Sequence, residues 1–278
     1  MERRTYLQAL GATGVAGLAG CLDDAMGVVG RGDDETVLGP PEQSRGDPDV
    51  ATYPVHGEEF PDFSLPDPLA GETITRDQFA GERAIVMTYF FTSCPDGACP
   101  ALMTRLRRIQ EDAAEQGYAD DIALLAMTFD PERDTPDVLE EYAGQQGVDH
   151  EADNWHFLRP ETNEAARDAA DTFGLGLQRI DDGEPGAGGG HGGSGNESED
   201  GHTGNESDGH AGNETDGHAG NESGHDGHDH GEYTFQHINL ILLANKQGIV
   251  ERSYPQALNT DFAPIEEIVD DARTVAQG

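Results

Sequence analysis

Lysine is all but missing from this 278-residue chain: of its 16 basic residues only Lys246 is a lysine, set against 55 aspartates and glutamates. The net charge of −39 leaves no basic patch to neutralise phosphates, which excludes nucleic acid as a partner. Long apolar runs are missing too. The mild stretch over residues 10–18 is too short to span a bilayer. Cysteine is scarce, with only Cys21, Cys94 and Cys99 available for thiol chemistry.

What is present sorts into an address, a tether and a foldable region. Arg3-Arg4-Thr5-Tyr6-Leu7 reads as a twin-arginine signal, and Leu18-Ala19-Gly20-Cys21 resembles a lipobox whose cysteine is lipidated and becomes the first residue of the mature protein. Residues 1–21 are therefore expected to direct the chain to the extracytoplasmic face of the cell membrane, anchored through Cys21. One acyl chain binds membranes marginally, so firm anchoring needs several. With Cys21 assigned, Cys94 and Cys99 remain for chemistry in an oxidising compartment. Residues 22–57, with Gly39-Pro40-Pro41 and scattered aspartates, lack periodicity and read as a flexible tether.

The region 58–278 carries regular patterns. Residues 60–65 and 72–75 predict a short hairpin and 84–91 a buried strand. Residues 101–116, with Leu102, Leu106, Ile109 and Ala113 at helical spacing, predict a helix stopped by Gly117. A second buried strand follows at 122–129, and a helix capped by Thr135 with Pro136 at its first position. Residues 155–158 predict a strand and 163–173 a helix. Residues 238–243 and 248–254 form a hairpin, and a last amphipathic helix spans about 261–275. This order predicts an α/β thioredoxin-like fold, a central mixed sheet with helices on both faces.

Residues 183–231 interrupt it. The segment has no large apolar side chain to pack and is expected to be a disordered, solvated insertion. His202, His210 and His218 recur every eight residues, as do Asn205, Asn213 and Asn221. Its histidines (191, 202, 210, 218, 225, 228 and 230) suit weak capture of copper or zinc. Four sequons, at Asn196, Asn205, Asn213 and Asn221, suit glycans. The two roles are compatible, and repeat expansion with no role is the third reading.

The densest chemistry lies at Ser93-Cys94-Pro95-Asp96-Gly97-Ala98-Cys99-Pro100, where a strand delivers a dithiol onto the start of a helix. Unpaired amides and a partial positive charge there favour thiolate over thiol. Pro100 suits the first helical position, where its missing N–H costs nothing. Such a pair can cycle with a disulfide or hold a soft metal; it can also be a plain structural disulfide. Asp130 and Asp134 follow the second strand at the same sheet edge, either to start and cap the next helix or to tune the thiols. Met87, Met103 and Met127 fall in core patterns, and His150 and His156 read as surface or packing residues.

Three segments together, Phe91-Thr92-Ser93-Cys94-Pro95-Asp96, Thr128-Phe129-Asp130-Pro131-Glu132-Arg133-Asp134-Thr135-Pro136, and Phe235-Gln236-His237, resemble the SCO/SenC family of membrane-tethered, copper-binding thioredoxin-fold proteins. The likeness covers about residues 58–275 outside the insertion and, with the signal and acidity, implies a lipoprotein of the haloarchaeal type. It implies a copper chaperone for the copper-binding subunit of cytochrome c oxidase, acting as a monomer, with Cys94, Cys99 and His237 as ligands. Two thiolates and an imidazole suit both Cu(I) and Cu(II). The family spaces its cysteines by three residues; here four intervene, and Gly97 is expected to absorb the extra one through a backbone conformation closed to other residues. Ile238 stands where thioredoxins carry a cis-proline. The competing reading is a thiol–disulfide oxidoreductase that reduces the cysteines of a copper-site partner. A peroxidase is disfavoured because Thr92 stands two residues before Cys94, not three, and a metal buffer working mainly through the insertion is the remaining reading.

The acidity generates a prediction. At 0.01 M salt the Debye length is about 30 Å, so like charges repel across the whole domain, and in molar salt it falls to about 3 Å. The melting temperature of the chain lacking residues 183–231 should rise steadily with potassium chloride from millimolar to molar. A flat profile contradicts a salt-adapted surface.

Overall fold

The computed structural model describes residues 35–41, 51–181 and 233–278. The expected signal segment with Cys21 and the insertion with its seven histidines and four sequons lie outside the described residues. The expected first hairpin is the antiparallel pair β1 (Ser64–Asp67) and β2 (Glu72–Thr75). A continuous apolar run with no polar face makes β3 (Ala84–Phe90) and β4 (Ile122–Thr128) central strands, every residue of each buried. They pair in parallel, and β4 pairs in parallel with β5 (Trp155–Leu158). On the other side of β3, β8 (Ile241–Ala244) and β9 (Val250–Tyr254) add as antiparallel strands. The resulting mixed sheet has the order β5-β4-β3-β8-β9.

Alternation along β3 shows both faces covered. Tyr89 packs its ring on Phe173, at the end of α3 (Asn163–Thr172), and the next residue, Phe90, stacks on Tyr142 of α2 (Pro136–Gln146). The longest helix, α1 (Ala98–Gln116), packs against α4 (Ile265–Gln277), β3 and β4. The thioredoxin-like arrangement expected from the element order is therefore the one observed. Met87, Met103 and Met127 are fully buried, as core residues should be. Among the described residues no helix is long and apolar enough to cross a membrane.

Three local differences have physical causes. The first helix begins at Ala98 rather than 101, so Pro100 occupies its third position; an N–H is dispensable there as well, because the first four amides of a helix have no internal acceptor. The last helix starts at Ile265, after Pro264, since a proline disfavours helical backbone in the residue before it. The third difference is a strand pair that periodicity did not reveal. β6 (Gln178–Asp181) and β7 (Tyr233–Gln236) pair antiparallel, with Asp181 opposite Tyr233. The insertion thus leaves and re-enters the domain at one point, and β7 runs from there directly to His237.

Two stretches of the expected tether are seated on the domain. The carboxylate of Glu251, fully buried on β9, accepts hydrogen bonds from the backbone N–H of Val37 (2.7 Å) and Leu38 (2.9 Å) and from Asn245 Nδ2 (2.6 Å). Residues 57 and 58 pair with Val250, through Gly57 N to Val250 O (2.9 Å) and Val250 N to Glu58 O (2.8 Å). Both contacts cover the edge strand of the sheet, where open N–H and C=O groups would otherwise invite pairing with another chain.

Candidate metal and thiol site

Phe90 ends β3 opposite Thr128, the end of β4, and Phe129 N donates to Phe90 O at 3.1 Å. The loop that follows β3 carries the cysteines, and the loop that follows β4 carries Asp130 to Pro136. Parallel pairing therefore places the two motifs side by side at the carboxyl edge of the sheet, where open α/β sheets form their sites. Gly97 turns the chain into α1 with φ 74°, the left-handed conformation expected of it.

The two sulfurs are unlike. Cys94 is half-buried and Cys99 fully buried, and both are free thiols. The N–H of Cys99, in the first turn of α1, donates to Cys94 Sγ at 3.4 Å, so one orphan amide of the helix is directed at that sulfur. A hydrogen bond from the Cys99 side chain holds Cys94 below the ordinary thiol range, and its backbone N–H helps, against burial and Asp96. Burial, followed by the neighbouring Cys94, pushes Cys99 well above that range. Of the two, Cys94 is thus the more readily ionised thiol, and Cys99 the more protected one behind it.

Asp96, absent from the sequence-based site, belongs to it. Its carboxylate accepts from Cys94 Sγ at 3.0 Å and from Ala98 N at 2.9 Å, which completes the helix start. Burial works to raise this carboxyl, but the hydrogen bonds from Cys94 and Ala98 and the nearby His237 bring it below the usual carboxylate value. A carboxylate two residues before a helix start is a recognisable capping signal; its contact with a thiol is not.

His237 follows β7 and lies edge-on to Phe129, ring centroids 4.6 Å apart, and to Phe91 at 6.5 Å. Its Nδ1 lies 2.9 Å from the Ile238 carbonyl oxygen, which can only accept, so Nδ1 carries the hydrogen and Nε2 keeps its lone pair. Burial lowers its pKa, which favours the neutral imidazole a metal requires. Asp96 lies within electrostatic reach of His237 and touches Cys94, so the fold brings all three ligand candidates to one end of the sheet. As the side chains stand, no set of three or more His, Cys, Asp or Glu among the described residues is close enough to hold a metal ion. His156 lies apart, buried with Nδ1 3.1 Å from Asp67, a packing residue as expected.

The two motif aspartates hold different parts of this frame. Asp130, buried, accepts from Tyr233 OH at 2.9 Å and pairs with Arg133, whose guanidinium lies 3.9 Å from the centre of the Tyr233 ring and donates to Tyr233 O at 3.0 Å. These contacts tie the β4 loop to β7, the strand that leads to His237. Asp134 accepts from Thr92 Oγ1 at 2.5 Å and from Thr128 Oγ1. The cap of α2 falls instead to Thr135, which accepts from Val138 N at 3.4 Å.

Burial pushes Asp134 up to about 6, against the hydrogen bonds from Thr128 and Thr92. A carboxyl raised in the folded chain holds its proton more tightly there than in the unfolded chain. Its stabilising contribution is complete below about pH 4 and is lost as pH rises through about 6. Asparagine is neutral throughout, so the Asp134→Asn chain should gain on the parent by on the order of 3 kcal/mol between pH 4 and 7. Urea unfolding of both chains measures this, and a difference independent of pH contradicts a buried carboxylate at this position.

The SCO1/SenC family model matches residues 54–191. An SCO2-like protein of Rickettsia prowazekii is 40% identical over 73 residues, 26% of this chain and 33% of that protein. Its counterpart in Rickettsia felis is 40% identical over 82 residues, 29% and 37% of the two chains. The chain thus matches about a third of the length of these relatives. Among solved structures it is similar to an SCO1/SenC family lipoprotein from Bacillus anthracis (17% identity, 78% of this chain and 95% of that one, TM-score 0.48). It is likewise similar to Bradyrhizobium japonicum ScoI with copper bound (16% identity, 78% and 99%, TM-score 0.47). The matched model takes in the dithiol loop and the whole Asp130–Pro136 motif, and on that ground the chain belongs to the SCO1/SenC family.

Proposed function

We propose that this protein binds copper as cargo through Cys94, Cys99 and His237 and delivers it to the copper-binding subunit of cytochrome c oxidase, tethered through a lipidated Cys21 at the extracytoplasmic face of the membrane. Family membership supports the general role. The observation that carries the reading is the pairing of a thiolate-favouring Cys94 at the start of α1 with a neutral His237 whose Nδ1 is engaged and whose Nε2 is available.

The donor set fits copper. Sulfur ligands select Cu(I), and the imidazole accommodates Cu(II). Loading releases protons, because both thiols must ionise, and the buried Cys99 holds its proton hardest. Cys94 and Asp96 form the accessible side, through which cargo enters and leaves. The Phe91, Phe129 and Phe235 rings, with centroids 5.2–5.4 Å apart, form the apolar side against which the imidazole rests.

The asymmetry of the thiols favours a second reading, thiol–disulfide exchange with a partner. The Cys94 thiolate attacks one sulfur of a partner disulfide and releases the other as a thiolate. Cys99 then gives up its proton to solvent and attacks the Cys94 sulfur of the mixed disulfide, breaking its bond to the partner and releasing the second partner thiolate; two electrons have passed to the partner and the Cys94–Cys99 disulfide remains. Only copper binding needs the imidazole. His237→Ala should therefore weaken copper binding at this site by tenfold or more, on the order of one lost ligand, while leaving reduction of a model disulfide within about two-fold of the parent. Competition titration of copper and a disulfide-reduction assay measure the two. Unchanged copper affinity removes His237 from the site.

A further inference from the structure

We infer that Asp134 is a positioning residue for the dithiol: through Thr92 it fixes the root of the Cys94–Cys99 loop, so that the Cys94 sulfur stays on the first amides of α1. The inference takes Cys94 as the working thiol of the function proposed above. It asks what keeps that sulfur in place.

The loop from Thr92 to Gly97 has few internal restraints. Its sequence offers a proline, a glycine and short polar residues, and it is one residue longer than the family spacing between cysteines. At its far end Asp96 and Gly97 join it to α1. At its near end the chain is gripped by one group. The Asp134 carboxylate, fully buried, receives Thr92 N on both oxygens (3.3 and 3.2 Å) and Thr92 Oγ1 on Oδ1 (2.5 Å), while Thr128 Oγ1 donates to Oδ2. The carboxylate thus bridges the loop after β3 to the last residue of β4.

Its own backbone is held in turn. Asp134 N donates to Asp130 O at 2.9 Å, and Arg159, just beyond β5, donates through Nε to Asp134 O at 2.8 Å and through Nη2 to Pro131 O at 2.6 Å. A carboxylate fixed at both backbone ends and accepting from the loop after β3 and the end of β4 is a rigid anchor for whatever it grips. It grips the residue two places before Cys94. Burying a carboxyl here costs stability at neutral pH, yet an amide in its place could not accept from all three donors at once.

Two other groups lie close to this carboxylate. Asp130, from the same loop, acts on it electrostatically. Tyr142, on α2, has a buried hydroxyl with no hydrogen-bond partner and lies within electrostatic reach of Cys99, Cys94 and Asp134. Thr92 is therefore the direct hydrogen-bonded link between Asp134 and the cysteine loop.

The test is the rate of iodoacetamide alkylation of reduced, metal-free full-length chain, followed by mass spectrometry at Cys94 and Cys99 separately across pH 5 to 10. In Asp134→Asn and in Thr92→Val the Cys94 rate at pH 7 should fall about five-fold, the equivalent of one net hydrogen bond, and its pH midpoint should move up. Thr92→Ser, which keeps the donor, should retain the parent profile, and Cys99 should stay slow in every chain. Circular dichroism establishes that each variant is folded. If Asp134→Asn does not fold, Thr92→Val decides. A folded Thr92→Val chain with the parent rate and midpoint at Cys94 overturns the inference. Because no copper is present, that result would leave the copper reading untouched, and loss of copper binding in His237→Ala would leave this inference untouched.

Discussion

The parallel register that sets Phe90 opposite Thr128 is the constraint on which the site depends. It ends two buried strands at the same level, so the loop that carries the thiols and the loop that carries the aspartates start side by side. Everything polar at this edge follows from that adjacency. Asp134 can reach Thr92 across it, Asp130 can reach Tyr233, and the aromatic rings of Phe91 and Phe129 meet to form the wall behind His237. A buried sheet of apolar side chains supplies the stiffness, and the reactive groups sit where the strands end and backbone amides fall free.

The parts of the fold driven by burial were legible in the sequence. β3 and β4 announce themselves as unbroken apolar runs, and Thr135-Pro136 marks the start of α2 by cap and proline together. β6 and β7 were not legible, because β6 is polar and largely exposed and a two-stranded pair there has no hydrophobic face to betray it. The site divides the same way. Cys94 and Cys99 could be read from strand-to-helix context, whereas His237, about 140 residues away, entered only through the family resemblance. Asp96 and Thr92 stood in plain view beside Cys94, but their roles depend on which side chain lies opposite in three dimensions. Tyr142 gave no signal beyond an aromatic at a helical core position.

Charge is organised with similar economy. Several of the basic side chains serve inside the domain: Arg273 joins α4 to α1 through Asp112 at 2.6 Å, Arg133 braces β7, Arg159 holds the motif loop, and Lys246 meets Asp121 at 2.9 Å. Arginine suits these bridging roles, since its planar fork makes several directed hydrogen bonds at once. With 55 acidic side chains against 16 basic ones, most of the acid cannot be matched by a basic side chain of the same chain, and dissolved counterions screen it.

The proposed copper site draws two sulfurs and one imidazole from segments about 140 residues apart in the chain onto one copper ion. X-ray absorption at the copper edge tests it most directly, on the reduced full-length chain loaded with one equivalent of Cu(I) and on the Cys94→Ser, Cys99→Ser double variant loaded in the same way. The parent chain should show two sulfur scatterers at about 2.2–2.3 Å, the usual range of metal–thiolate bonds, with one nitrogen beside them, and the variant should show no sulfur. A first shell of nitrogen and oxygen alone in the parent chain would contradict it.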